Sequence, residues 1–173
     1  MADMSRETWS RVIFDRLVDA GVTLFTYIPD FGNAAIIDLA DAHSKTRSVL
    51  LTSEEEGVAI CAGADLVGER GVLCMQSSGV GNCPNFLSLV KNGRFPMLMI
   101  ISMRGDYGEQ NPWQYPMGQA VEPLFAAMGV LTIKVERADE LENAVSSAIS
   151  AAFRAGQGVA LILGQKFLGP KAF

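Results

Sequence analysis

The chain has 173 residues, a formal net charge of −5 and 49% hydrophobic residues, and this high apolar content favours a buried subunit interface. Its 14 lysines and arginines are scattered along the sequence, which argues against a nucleic-acid-binding protein. No apolar run approaches the ~20 residues that cross a bilayer, so we predict no membrane segment. Because the N-terminus lacks the basic and then apolar pattern of an export signal, we expect a cytoplasmic location.

Histidine and cysteine are scarce, which excludes several kinds of catalytic and metal site. His43 is the single histidine, so a centre with several histidine ligands cannot form, and a Ser-His-Asp triad would depend on that one residue. Cys61, Cys74 and Cys83 lack the spacing of metal ligands and have mostly apolar neighbours. We therefore predict reduced core cysteines and no metal site on this chain.

Apolar periodicity predicts strands and helices that alternate along the chain. The predicted strands are 22–28, 47–52, 71–76, 96–102, 129–135 and 158–163. The predicted helices are 9–20, 34–42, 55–67, 85–91, 120–128 and 140–155. This alternation favours an α/β fold, a single doubly wound domain over residues 1–173 with a parallel sheet of about six strands. The tail, 164–173, is expected to dock on a partner or to fray.

Polar or glycine-bearing loops follow four of the predicted strands. In doubly wound sheets, ligands bind beyond the carboxyl ends of the strands, so we expect the functional site there. The four loops are 29–33, 53–56, 77–82 and 103–118.

The second of these loops carries a run of glutamates at the start of a predicted helix. Ser53 and Glu56 have the spacing of a helix capping box, and Glu55 is interpreted as a solvated neighbour. This structural role does not require Glu54. Glu54 is therefore the candidate for chemistry in this loop.

The third loop contains a tight turn with Gly79 and Gly81. No Gly-Lys-Ser or Gly-Lys-Thr follows, which excludes a Walker phosphate loop. Pro84 occupies the third glycine position of a dinucleotide-binding fingerprint, which excludes that motif too. The turn is either purely structural or offers its backbone amides to a ligand.

The first and fourth loops add further candidates. The loop 103–118 is longer than most connections, which indicates either function or mobility. Arg104 directly follows a predicted buried strand and could bind an anionic substrate or form a surface ion pair, and Gln114 is a second polar candidate. Asp30, after Pro29, could act in chemistry or only stabilise the turn.

Together, the four loops resemble the pyrimidine-binding domain of thiamin-diphosphate enzymes. The chain resembles sulfopyruvate decarboxylase alpha subunits and the related phosphonopyruvate decarboxylases, and the resemblance spans nearly its whole length. The motifs occur in order at the family's spacing. They are Glu54-Glu55-Glu56-Gly57-Val58 with Ala62-Gly63, Met75-Gln76-x-Ser78-Gly79-x-Gly81-Asn82 with Asn85, and Arg104-Gly105 with Met117-Gly118.

The resemblance implies a decarboxylase of 2-oxo acids that uses thiamin diphosphate and Mg²⁺. The family's glutamate lies nine positions before the glycine of the following helix, which points to Glu54, with Glu55 as the alternative. This glutamate is implied to share a proton with the cofactor's pyrimidine ring, and Asp30 is implied to relay protons. The other implied contacts are Pro29, Gln76, Gly79, Gly81 and Asn82 with the cofactor, and Arg104 and Gln114 with the substrate.

The resemblance also implies a partner chain. In this superfamily a second domain with a Gly-Asp-Gly motif holds the diphosphate and Mg²⁺, and this sequence has no such motif. We therefore expect a separate beta subunit in a hetero-oligomer, α2β2 or larger.

Two departures from the family pattern concern the substrate. Met103 stands where relatives usually have tryptophan, and Gln119 where they have arginine. If that arginine holds a sulfonate or phosphonate, its replacement favours a less charged or an aromatic 2-oxo acid. Two other functions stay open at this point: a carboligase using the same cofactor, and a non-catalytic regulatory α/β subunit.

Overall fold

A six-stranded parallel sheet lies at the centre of the molecule. The computed structural model describes residues 5–169, and the strands are β1 (Val22–Tyr27), β2 (Arg47–Leu50), β3 (Arg70–Gln76), β4 (Met97–Ser102), β5 (Leu131–Val135) and β6 (Gly158–Leu163). Their order across the sheet is β2-β1-β3-β4-β6-β5. All neighbouring strands pair in parallel, so their carboxyl ends share one edge. The predicted α/β fold with a parallel sheet is confirmed.

Helices cover both faces of this sheet. They are α1 (Arg6–Asp19), α2 (Ala34–Ala42), α3 (Glu54–Leu66), α4 (Pro84–Gly93), α5 (Tyr115–Ala127), α6 (Leu141–Ile149) and α7 (Gln165–Leu168). A π-helical turn, Ser150–Arg154, extends α6. Across residues 5–169, every helix is too short or too polar to span a membrane.

The central strands are buried on both faces, which explains their continuous apolar sequence. Every residue of β4 and of β6 is buried. In β4, Leu98 and Ile100 belong to the core beneath α1, α2 and α6, while Met99 and Ile101 belong to the core beneath α3, α4 and α5. Because successive side chains of a strand point to opposite faces, one apolar run supplies both cores.

Several element boundaries differ from the prediction, and two of them have a clear physical reason. Helix α5 begins at Tyr115 rather than at 120, so the connection after β4 is shorter than the predicted loop 103–118. Pro116 lies in the first turn of α5, where a missing N–H breaks no helical hydrogen bond. Strand β5 begins at Leu131 rather than at 129, because the N–H of Val130 donates to Phe125 O at 2.9 Å and closes the end of α5.

The C-terminal segment packs on its own chain. Gln165 is buried, and the ring of Phe167 lies 5.7 Å from that of Trp9 in α1. The expectation that the tail frays is therefore wrong for 164–169, while docking on a partner stays a prediction. The rest of the tail, 170–173, lies outside the described residues.

Candidate active site

Glu54 is the buried member of the glutamate run. It is the first residue of α3 and is 8% exposed, whereas Glu55 is half-buried and Glu56 is exposed. Its Oε2 accepts a hydrogen bond from Asn82 Nδ2 at 2.8 Å. The fold therefore brings together two predicted site residues from different loops and distinguishes Glu54 from its neighbours.

The glycine turn lies directly against this carboxyl group. Residues Ser77–Asn82 form a 3₁₀ helix between β3 and α4. A Cβ built on Gly79 would collide with the carboxyl group of Glu54, and one built on Gly81 would lie 3.0 Å from Met117 Sδ. Gly79 is thus required for the close approach of the carboxyl group to the backbone.

The predicted capping box does not form. Ser53 is the N-cap residue of α3, but its hydroxyl donates to the carboxylate of Glu55 and makes no capping bond. Glu56 accepts from the N–H of Thr52 at 3.0 Å and from the Thr52 hydroxyl at 2.5 Å. These bonds, that from the hydroxyl most strongly, lower the pKa of Glu56. Glu56 therefore bonds to Thr52, one residue before the Ser53 that the capping box would use.

A cavity of about 640 Å³ opens beyond the carboxyl ends of β1, β3 and β4. The predicted site residues Asp30, Gln76 and Arg104 line it. Glu54 lies outside this lining. The segment Ser77–Asn82 lies between the cavity and Glu54. It follows Gln76, which lines the cavity, and its Gly79 lies against the carboxyl group of Glu54. The site therefore has two parts on either side of one turn.

Asp30 is fixed by hydrogen bonds at the cavity wall. Its Oδ1 accepts from the N–H of Asn33 at 3.0 Å and from Ser102 Oγ at 2.8 Å. Its Oδ2 accepts from Asn33 Nδ2 at 2.8 Å. Pro29, the preceding residue, is exposed. Asp30 thus stabilises the turn before α2 and still borders the cavity, where a chemical role is open to it.

Arg104 forms a buried ion pair with Glu109. Its Nε and Nη2 donate to the two carboxylate oxygens at 2.6 Å each, and the side chains are 10% and 1% exposed. Hydrogen bonding from Arg104 lowers the pKa of Glu109 and raises that of Arg104. Arg104 therefore does form an ion pair, but the prediction that this pair would lie at the surface is wrong, because both side chains are buried.

Glu109 organises the whole connection after β4. Its carboxylate accepts from Gln165 Nε2 at 2.8 Å. It also accepts hydrogen bonds from three backbone N–H groups of the loop, those of Gly105 at 3.3 Å, Gln110 at 3.0 Å and Asn111 at 2.9 Å. This role of Glu109 was not predicted from the sequence, although an acid five residues after Arg104 was a visible signal. Gln165 offered no signal, because it is 56 residues from Glu109 in the chain.

Gln114 is not brought to the cavity. It ends a short 3₁₀ turn, Pro112–Gln114, and its carbonyl oxygen occupies the space where Gly105 would carry a Cβ. Gln119 lies outside the cavity lining as well, and its Nε2 donates to Gly105 O at 2.9 Å. The structure therefore separates both glutamines from the cavity that Arg104 lines.

The cysteines are free and buried, as predicted. Burial raises the pKa of the Cys61 and Cys83 thiols to about 12. The pKa of Cys74 is also raised well above its usual value, mainly by burial. In the described range, 5–169, histidine, cysteine, aspartate and glutamate do not gather in any group of three that could hold a metal ion.

Comparison with known proteins assigns the chain to a family. It is 34% identical over 154 residues to the sulfopyruvate decarboxylase subunit alpha of Methanocaldococcus jannaschii. The aligned residues cover 88% of this chain and 91% of that protein. The chain belongs to the family of sulfopyruvate decarboxylase alpha subunits. The resemblance noted from the sequence motifs is thereby confirmed.

Two further comparisons concern a second decarboxylase and the fold. A phosphonopyruvate decarboxylase of Streptomyces hygroscopicus is 34% identical over 111 residues, which are 63% of this chain but only 28% of that protein. The 2-oxoglutarate:ferredoxin oxidoreductase of Magnetococcus marinus has a similar structure, with a TM-score of 0.72 and 13% identity over 90% of this chain and 28% of that chain. That likeness concerns the fold alone. No family model matches the chain.

Proposed function

We propose that this chain is the pyrimidine-binding subunit of a thiamin-diphosphate-dependent decarboxylase of 2-oxo acids. The observation that carries the proposal is the buried carboxyl group of Glu54, which lies against Gly79 and is bonded to Asn82. A carboxyl group removed from water beside a glycine backbone and an amide side chain suits a neutral heteroaromatic ring. Membership of the alpha-subunit family supports the same reaction class.

The residues around Glu54 are compatible with the aminopyrimidine ring of the cofactor. Because Gly79 has no Cβ, the side chain of Glu54 has room to lie against it. Gly81 is exposed at the same turn. Glu54 would share a proton with a ring nitrogen, and Asn82 would hold the carboxyl group in orientation. When bound, thiamin diphosphate would supply the electron sink that accepts the electron pair left behind when the substrate carboxylate departs as carbon dioxide.

The cavity beside Gln76 would receive the 2-oxo acid. In the overall reaction, the bond between the carboxylate and the ketone carbon breaks, carbon dioxide leaves, and a proton replaces it on that carbon. Asp30 follows Pro29 and borders the cavity, and we assign to it the delivery of this proton. Arg104 would orient the substrate as a fixed hydrogen-bond donor, since Glu109 already balances its charge.

We assign the diphosphate and Mg²⁺ to a separate beta subunit. The relative from Methanocaldococcus jannaschii is named as a subunit, which supports a hetero-oligomer, α2β2 or larger. Large exposed aromatic side chains in the connection after β4 and at the start of α5 favour a contact surface there, because aromatic residues are enriched at interfaces. They are Tyr107, Trp113 and Tyr115, with exposures of 58%, 87% and 41%.

The direct test is co-expression with a companion chain that carries the Gly-Asp-Gly motif. The purified complex, loaded with thiamin diphosphate and Mg²⁺, is screened for carbon dioxide release from sulfopyruvate, phosphonopyruvate, benzoylformate and pyruvate. Release from at least one of them, dependent on both chains, is expected. A complex that forms but releases carbon dioxide from none of them would refute the decarboxylase.

Gly79→Ala is expected to lower carbon dioxide release by about 100-fold, the loss typical of a small misplacement of a catalytic group. The new methyl group would push the carboxyl group of Glu54 away from Asn82. The measurement is kcat of the complex, with thermal unfolding as a check of the fold. The matched control is Gly63→Ala in α3, where a Cβ meets nothing within 4 Å. Equal activity in both variants would contradict the close-approach argument.

A further inference from the structure

The charges that line the cavity are not equally compensated. Its cations are Arg6, Arg104 and Lys166, and its acids are Glu7 and Asp30. Arg104 is paired with Glu109 at 2.6 Å, and Lys166 Nζ lies 4.0 Å from Glu136. Within residues 5–169, by contrast, no carboxylate forms an ion pair with Arg6. The cavity therefore has one cation, in the first turn of α1, that forms no close ion pair with a carboxylate of the described residues.

Arg6 is held in place by an aromatic side chain instead of by an acid. Its Cζ lies 4.3 Å from the ring centroid of Phe31, and its Nη1 donates to Phe31 O at 3.4 Å. Phe31 belongs to the loop between β1 and α2, directly after Asp30. A guanidinium that rests with its face on a ring keeps the edge with its remaining N–H donors for another partner.

An anion is the partner that suits such a guanidinium. A planar guanidinium binds a carboxylate, sulfonate or phosphonate through two parallel, charge-assisted hydrogen bonds. Asp30 would not compete strongly for Arg6, because its two oxygens already accept three hydrogen bonds, from Asn33 and Ser102. Glu7 is exposed in the first turn of α1, where hydrogen bonds to the helix backbone and to Ser5 lower its pKa most, and the charge of Arg6 adds a smaller lowering.

We propose that Arg6 binds a second anionic group of the substrate, one carried in addition to the 2-oxo acid group. This proposal rests on the proposed function. It makes Arg6 the specificity-determining residue for that second group, which would be a sulfonate, phosphonate or carboxylate. The replacement of the family's arginine by Gln119 does not oppose this assignment, because Gln119 lies outside the cavity and bonds to Gly105.

The test uses calorimetric titration of the complex of alpha and beta chains, loaded with thiamin diphosphate and Mg²⁺. The probes are sulfoacetate and phosphonoacetate, which carry two anionic groups, and propanoate, which carries one. In Arg6→Gln, affinity for the probes with two anionic groups is expected to fall about 10- to 100-fold, as for a lost hydrogen bond to a charged group, while affinity for propanoate is unchanged. Arg6→Lys should lose less. The control, Arg11→Gln, removes an exposed charge from the same helix and should change nothing.

Carbon dioxide release, measured on the same samples, separates the two proposals. Binding that depends on Arg6 in a complex without turnover would refute the decarboxylase but keep the anion site. A preference for the doubly charged probes that survives Arg6→Gln would overturn the anion site. An equal loss of affinity for all three probes would overturn it too, because that result indicates a structural role of Arg6.

Discussion

Glu54→Gln is expected to release carbon dioxide roughly 10²- to 10⁴-fold more slowly than the wild-type complex, the loss typical of a removed acid–base group. Glutamine has almost the same shape, so it can still lie against Gly79 and face Asn82. It cannot give or take a proton, however, and the proposed role of Glu54 is to share one. The measurement is kcat by carbon dioxide release, with circular dichroism to establish that the fold is intact.

Two neighbouring glutamates provide the controls. Glu56→Gln removes a carboxylate that only bonds to Thr52 at the surface, so kcat should be unchanged and only stability should fall slightly. Glu55→Gln tests the alternative assignment by one position. Wild-type activity in Glu54→Gln would refute the role of Glu54, and a selective loss in Glu55→Gln would transfer that role to Glu55.

Glu109→Ala is expected to lower the free energy of unfolding by about 3–5 kcal/mol, because it leaves Arg104 buried without its carboxylate. The loop would also lose the acceptor of its backbone N–H groups and of Gln165. Urea unfolding of the isolated chain measures the change. The matched control is Glu142→Ala, which breaks an exposed ion pair with Arg16 and should cost less than about 1 kcal/mol. Equal effects of the two substitutions would contradict the organising role of Glu109.

The contribution of Glu109 should also depend on pH. Hydrogen bonding from Arg104 lowers its pKa in the folded chain below the value of about 4.3 expected for an unfolded glutamate. A carboxyl group of this kind stabilises the fold above its unfolded pKa, and the contribution declines as the pH falls towards the folded value. The difference in unfolding free energy between wild type and Glu109→Gln should therefore be larger at pH 7 than at pH 3. A difference that is constant over this range would contradict the pKa shift.

The sequence by itself determined the fold class and the edge of the sheet that carries the site. Both depend on local patterns, since apolar runs such as that of β4 and the loops that follow them are visible within a few residues. Parallel strands place all the following loops at one edge, so Glu54 and the turn at Gly79 were expected to meet. The motif spacing also separated Glu54 from Glu55, and the observed burial agrees with that choice.

Only the tertiary structure decided which charges are neutralised. Arg104 was expected either to face a substrate or to form a surface ion pair; the fold places it in the cavity lining and pairs it with the buried carboxylate of Glu109. Gln114 was expected in the site, yet its turn faces Gly105. Arg6 drew no attention in the sequence, because its cavity is built from α1, the loop after β1 and α7, which are distant in the chain. The charge of a side chain acts over a few ångströms in three dimensions, so its partners depend on the packing of the whole chain.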